Sequence, residues 1–135
     1  MSSTNYYDTF IEVAEDCKAT AGEVPPERKS GKTVAKLEYE IIAANPYKYT
    51  SDEVIFSVYA TRNNIPAKRF NAEREKYFSK GRPCFRASPL TKTYGWGLHC
   101  DAQGKVALVG VETADYKKFH KDKSITKTRA MRSKK

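Results

Sequence analysis

The stretch YGWGLHCDAQGKVALVGVE, Tyr94 to Glu112, constrains the fold more than any other part of the chain. Its centre, DAQGK, puts an aspartate at the first position of a type I turn and a glycine at the fourth. That is the pattern of a β-hairpin closed by a turn and a glycine bulge. With Asp101 facing Lys105, the register follows: Cys100 opposite Val106, His99 opposite Ala107, Leu98 opposite Leu108, Gly97 opposite Val109 and Trp96 opposite Gly110. Successive side chains on a strand point to opposite faces. One face therefore carries Trp96, Leu98, Cys100, Val106, Leu108 and Gly110, where Gly110 is expected to leave room for the indole. The other carries Gly95, Gly97, His99, Ala107, Val109 and Val111. Both are apolar, so both are expected to be covered. Gly95 and Gly97 strip one patch of side chains, so a helix, a backbone segment or a ligand must come close there. Cys100 follows His99 but points to the opposite face, which makes a Cys–His pair from these two geometrically poor.

Before the hairpin, TFIEVA (Thr9 to Ala14) has the β-branched, period-two pattern of a strand. The run from Glu15 to Lys32 carries two consecutive prolines, a glycine and many charges. It reads as a long loop, and loops of that length in compact domains are functional or mobile. In TVAKLEYEIIAAN, Val34, Leu37, Ile41 and Ala44 recur at helical spacing, with Lys36, Glu38 and Glu40 on other faces, and Pro46 stops the helix. In YTSDEVIFSVYATRNN, Thr50 and Glu53 have capping-box spacing; Ile55, Val58, Tyr59 and Arg62 share a face, and Asn63-Asn64 suits a left-handed end. Pro66 opens a third helix running to Gly81, with Phe70, Tyr77 and Phe78 inward. PCFRAS reads as extended and ended by Pro89. TADYKKFHKD reads as a short last helix with Tyr116 and Phe119 packing back, and KSITKTRAMRSKK either adds an edge strand or stays loose.

The expected fold is α+β: a small, mainly antiparallel sheet built from Thr9–Ala14, Thr93–Cys100 and Lys105–Val111, three consecutive helices packed on one face and a short C-terminal helix. Residues 1–121 form the globular domain and 122–135 a basic tail. A chain of 135 residues can bury one sizeable core without staples. Three cysteines, Cys17, Cys84 and Cys100, are odd in number and lack CxxC spacing, which excludes a disulfide framework and a zinc knuckle. The sequence has no apolar run long enough for a bilayer and no signal-peptide pattern, so the expected compartment is the cytoplasm.

The net charge of +9 is unevenly spread: −4 over residues 1–61, +5 over 62–116 and +8 over 117–135. That asymmetry points to an anionic partner, nucleic acid among them. The contacts would be Lys117, Lys118, Lys121, Lys123, Lys127, Arg129, Arg132, Lys134 and Lys135, with Tyr116 and Phe119 as candidates for base stacking. The alternative is a small-ligand protein or enzyme with a pocket over the Gly95/Gly97 face, drawing on Arg82, Arg86, Lys92, Tyr94, Trp96 and His99. The groove between YKYTSDE and RPCFRASPLTKTYGWG is the expected place for it. A third reading is a structural or protein-interaction role through the tail or a sheet edge.

Motifs add little. SGKT, Ser30 to Thr33, lacks the first glycine and the preceding buried strand of a phosphate loop; Ser30 or Thr33 reads instead as a helix cap. No HExxH, GxSxG or GxGxxG occurs, Glu12, Glu15 and Asp16 read as ordinary exposed acids, and neither a metal nor a cofactor is implied. The segments NYYDTFIEVAEDC, NPYKYTSDEVIF, GRPCFRASPLTKTYGWGLH and AMRSK resemble a family of small prokaryotic proteins grouped as a domain of unknown function. The resemblance runs from about Asn5 to Lys134. It implies a stand-alone cytosolic protein and carries no site residue across.

Overall fold

The hairpin forms with the expected register. In a computed structural model that describes residues 3–132, β2 (Trp96–Cys100) and β3 (Val106–Gly110) pair antiparallel, from Trp96 opposite Gly110 to Cys100 opposite Val106. The turn is held by Asp101, whose Oδ1 accepts from the N–H groups of Gln103 (3.0 Å) and Lys105 (2.8 Å). Gly104 sits at φ +79°, a backbone conformation only glycine adopts without strain.

Around the hairpin the sheet has the order β3-β2-β1-β4. Strand β1 (Thr9–Glu12) lies antiparallel to β2, with Ile11 opposite Leu98. Strand β4 (Thr126–Arg129) lies parallel to β1, with Glu12 opposite Arg129. The basic C-terminal stretch thus supplies an edge strand, and the sheet is mixed. Arg86 fastens that edge: its Nε donates to Arg129 O (2.6 Å), and Met131 N donates to Arg86 O (2.8 Å).

One sheet face carries the main core, where Ile11, Leu98, Cys100 and Val106 pack with Ile42, Val54, Phe85 and Leu90. The helices over it are α1 (Val34–Ala44), α2 (Ser51–Arg62) and the short α4 (Pro89–Lys92). Of the two expected candidates, Ser30 and Thr33, it is Thr33 that caps α1, and the Thr50–Glu53 capping box is formed on α2. Helix α3 (Phe70–Tyr77) packs on α2, with Tyr77 tilted against Tyr59 (4.3 Å) and Phe70 edge-on to Phe56 (5.6 Å). Helix α2 is therefore buried on two sides, by Val54 in the main core and by Phe56 and Ala60 in a second cluster with Phe78.

Several expectations are corrected. The inward stripe of α1 is Ala35, Glu38 and Ile42, rotated from Val34, Leu37, Ile41 and Ala44, because the helix turns a carboxylate inward. PCFRAS is not extended: Phe85–Ala87 is a 3-10 turn leading into α4, with Ser88 as N-cap and Pro89 at its start. The third helix is shorter than expected: a 3-10 turn, Ala67–Arg69, follows Pro66, and α3 ends at Tyr77, well before Gly81. The space above Gly110 is taken by the Glu112 carboxylate; the Trp96 ring packs instead on Gly22. The loop from Glu15 to Lys32 is tied down. Trp96 Nε1 donates to Glu23 O (2.8 Å), Glu23 N to Tyr94 O (2.8 Å) and Gly22 N to Glu112 Oε1 (2.9 Å).

Candidate functional site

The second face of the sheet is covered by α5 (Ala114–Lys121), and its chemistry starts there. Thr113 caps the helix, accepting from Tyr116 N (3.2 Å). Tyr116 and Phe119 then point inward. Phe10 meets the Tyr116 ring at 5.0 Å and the Phe119 ring at 5.4 Å, and Phe119 stacks on His99 at 4.0 Å. Gly97 is needed for this approach: a Cβ there would lie 2.8 Å from Phe10 Cζ and 2.9 Å from Tyr116 Cε2. Gly95 is filled likewise, by the carbonyl of Ala21 and the methyl of Ala19. The patch expected over Gly95 and Gly97 is thus occupied by the protein's own atoms, and it leaves no room for a ligand at those two glycines. Tyr116 and Phe119, committed to Phe10 and His99, are withdrawn from base stacking as well.

With its aromatic stripe inward, α5 exposes Lys117, Lys118 and Lys121, and Lys123 follows, also exposed. Glu12 ties this helix to β4. It is only 6% exposed, and its carboxylate meets His120 Nδ1 from α5 and Arg129 Nε from β4, the latter at 3.6 Å. Pairing offsets the cost of burying the charge, so the acid at the end of β1 fixes where the two basic elements sit. Tyr116 adds a second tie, its hydroxyl accepting from Val13 N (3.0 Å). Between these elements lies a cleft of about 460 Å³ lined by Lys117, His120, Lys121 and Arg129, with Glu12 and Cys17 on its β1 side. Among the described residues no group of three or more His, Cys, Asp or Glu side chains comes together as a metal site.

Of the expected anion contacts, Lys117, Lys121 and Arg129 share this cleft, and Lys118, Lys123 and Arg132 are exposed. Lys127 is turned back onto the main chain, donating to Asp122 O and Ile125 O. Lys134 and Lys135 lie outside the described residues. The six residues expected around a ligand do not converge. Arg82 lies over the Tyr77 ring at 3.9 Å, Arg86 holds β4, and Tyr94 lines a separate cavity with Pro26, Arg28 and Lys32. Lys92 is the last residue of α4. Trp96 packs against Tyr39 (5.7 Å) on one sheet face, while His99 lies on the other. His99 shares a hydrogen bond with Tyr47 Oη (2.9 Å at Nδ1), and burial lowers its pKa against the opposing pull of Asp101.

Sequence reasoning missed Glu12 and His120 as partners, since 108 positions separate them and neither sits in a motif. It also missed Glu38, buried in α1 at 6% exposure. The three cysteines are free, and burial pushes the Cys100 thiol up to about 12, consistent with a packing role. Among the described residues no helix is long and apolar enough to cross a membrane.

No curated protein and no solved structure matches the chain. A family model does, over residues 1–135. The chain therefore belongs to DUF6157, a family of unknown function.

Proposed function

We propose that this protein is a binding module for nucleic acid, gripping the phosphate backbone with the basic face formed by α5 and β4. The observation that carries this reading is the meeting of Lys117 and Lys121 of α5 with Arg129 of β4 around one cleft, with Lys118, Lys123 and Arg132 also exposed on or next to these elements in the chain. The two consecutive elements are joined through Glu12 of β1, so their cations are held at fixed positions on a folded surface. Such an array suits a repeating line of phosphates, where each contact releases condensed counterions. Tyr116 and Phe119 are committed to Phe10 and His99, so the grip is on the phosphates and binding is indifferent to base sequence.

The test is fluorescence anisotropy with labelled mixed-sequence duplex DNA, single-stranded DNA and single-stranded RNA across a salt series. About four phosphate contacts on duplex give a slope of about −3.6 in log K against log salt, or roughly two powers of ten between about 50 and 200 mM. The triple variant Lys117→Glu/Lys118→Glu/Lys121→Glu is expected to lose binding at every salt concentration. Failure of the wild-type protein to bind any of the three at the lowest salt would overturn the reading.

A further inference from the structure

We propose that the cavity between α1, α2 and α3 is a binding site for a small organic amine, with the ammonium group seated on the Glu38 carboxylate. This site lies apart from the basic face and does not depend on the nucleic-acid reading. The cavity holds about 230 Å³. At about 30 Å³ per water-sized group it accepts roughly eight non-hydrogen atoms. Its walls are largely apolar: Ile55 and Val58 of α2, the rings of Tyr59 and Tyr77, and Pro83 and Ala87 of the segment before α4.

Glu38 is the only carboxylate among the residues that line it. Its Oε1 accepts from Ser88 Oγ (2.7 Å), and Ser88 Oγ in turn accepts from Leu90 N (3.1 Å), which caps α4. That chain needs one acceptor oxygen and no charge; a glutamine carbonyl would serve it equally. The second oxygen, Oε2, has no hydrogen bond among the described residues. It keeps some accessible surface, and the residue lines the cavity. The fold thus spends one oxygen on a cap and leaves the other without a hydrogen bond among the described residues, on a side chain that lines a largely apolar chamber. Taking a carboxylate out of water without an ion partner is costly, and an ammonium group delivered by a ligand supplies the missing charge and hydrogen-bond donors. The Tyr59 and Tyr77 rings, packed against each other with centroids 4.3 Å apart, form one wall of the chamber beside the carboxylate.

Burial pushes the Glu38 pKa up to about 7, against the opposing hydrogen bond from Ser88. An amine selects the ionised form, so its apparent affinity follows the ionised fraction. Affinity is expected to rise about tenfold between about pH 6 and 8. The other charged or titratable groups around the cavity are Tyr59 and Arg62 of α2, Tyr77 of α3 and Cys84.

The experiment uses benzylamine as the probe, benzyl alcohol as its uncharged counterpart, and the full-length protein observed by two-dimensional amide NMR. Benzylamine is expected to shift Val58, Tyr59 and Ala87 and to bind at least tenfold more weakly to Glu38→Gln. Benzyl alcohol is expected to bind wild type and Glu38→Gln alike. A second variant, Ala87→Phe, fills the chamber and is expected to abolish the shifts; it carries the test should Glu38→Gln fail to fold. Absence of benzylamine shifts at these residues, or equal benzylamine affinity in wild type and Glu38→Gln, overturns the proposal. Retention of the shifts in a folded Ala87→Phe protein does so as well.

Discussion

Replacing Glu38 with glutamine should stabilise the protein at alkaline pH and leave it nearly unchanged at acid pH. The native pKa of about 7 stands above the ordinary 4.5 because burial disfavours the charged form. Between these two values the folded chain binds a proton that the unfolded chain has released. Stability therefore falls as pH rises through that window, and the full penalty is in place above the folded value. A difference of about 2.5 units at about 1.4 kcal/mol each gives about 3 kcal/mol. Glutamine keeps the volume and the Ser88 hydrogen bond and carries no charge at any pH. Urea unfolding of both proteins at several values between about pH 5 and pH 8.5 measures the effect. The gap between their unfolding free energies should open from about 1 kcal/mol at the acid end of this range to about 3 kcal/mol at the alkaline end, with equal m-values. Every other titrating group is common to both proteins, so the difference isolates Glu38. A gap that stays constant with pH, or a Glu38→Gln protein less stable than wild type at alkaline pH, would refute the argument that burial controls this carboxyl.

Three further outcomes follow from the geometry. Gly97→Ala places a methyl 2.8 Å from Phe10 Cζ and 2.9 Å from Tyr116 Cε2 and should cost about 1–3 kcal/mol in thermal or urea unfolding, because two buried rings have to give way. Thr50→Ala removes the hydroxyl half of the α2 capping box and should cost about 1 kcal/mol in the same assay. Arg86→Ala releases the Arg129 carbonyl on the β4 edge; a loss of about 1 kcal/mol there should speed hydrogen exchange of the Ala130 amide, which bonds Glu12 O, about fivefold.

The hairpin could be read from the sequence because its determinants are local. Asp101 and Gly104 fix the turn, and a fixed turn fixes every pair outward to Trp96 and Gly110. The capping box at Thr50 was legible for the same reason, and at α1 the structure decides between Ser30 and Thr33 in favour of Thr33. The buried face of α1 was not. Val34, Leu37 and Ile41 have a persuasive spacing, and a pattern argument assigns any glutamate to the solvent side, so the stripe that includes Glu38 was invisible to it. Strand β4 was only half legible, since TKTR has no apolar alternation; its place is set by pairing with β1, and Glu12 also meets Arg129 there. In the basic face the cations were visible by composition alone. What joins them was hidden, because Glu12, His120 and Arg129 come together only after the sheet has formed.

The sheet separates the two proposed sites, and that separation has a physical consequence. Phe10 and Ile11 are neighbours in β1 that point to opposite faces, Phe10 to the rings of α5 and Ile11 to the core beneath α1 and α2. A perturbation at Glu38 reaches Lys117 only across that core and the sheet; toward Arg129 the route is the segment from Ser88 back to Arg86, and Glu38→Gln keeps the Ser88 hydrogen bond at its start. Residues that share neither a partner nor a cavity contribute nearly additively, and the basic cleft and the Glu38 chamber share no lining residue. Glu38→Gln should therefore leave the salt dependence of nucleic-acid binding unchanged, while substitutions on α5 leave amine binding unchanged. Glu12 has no such insulation. Its carboxylate meets both His120 and Arg129, so its removal acts on the basic face through the spacing of the cations as well as through charge.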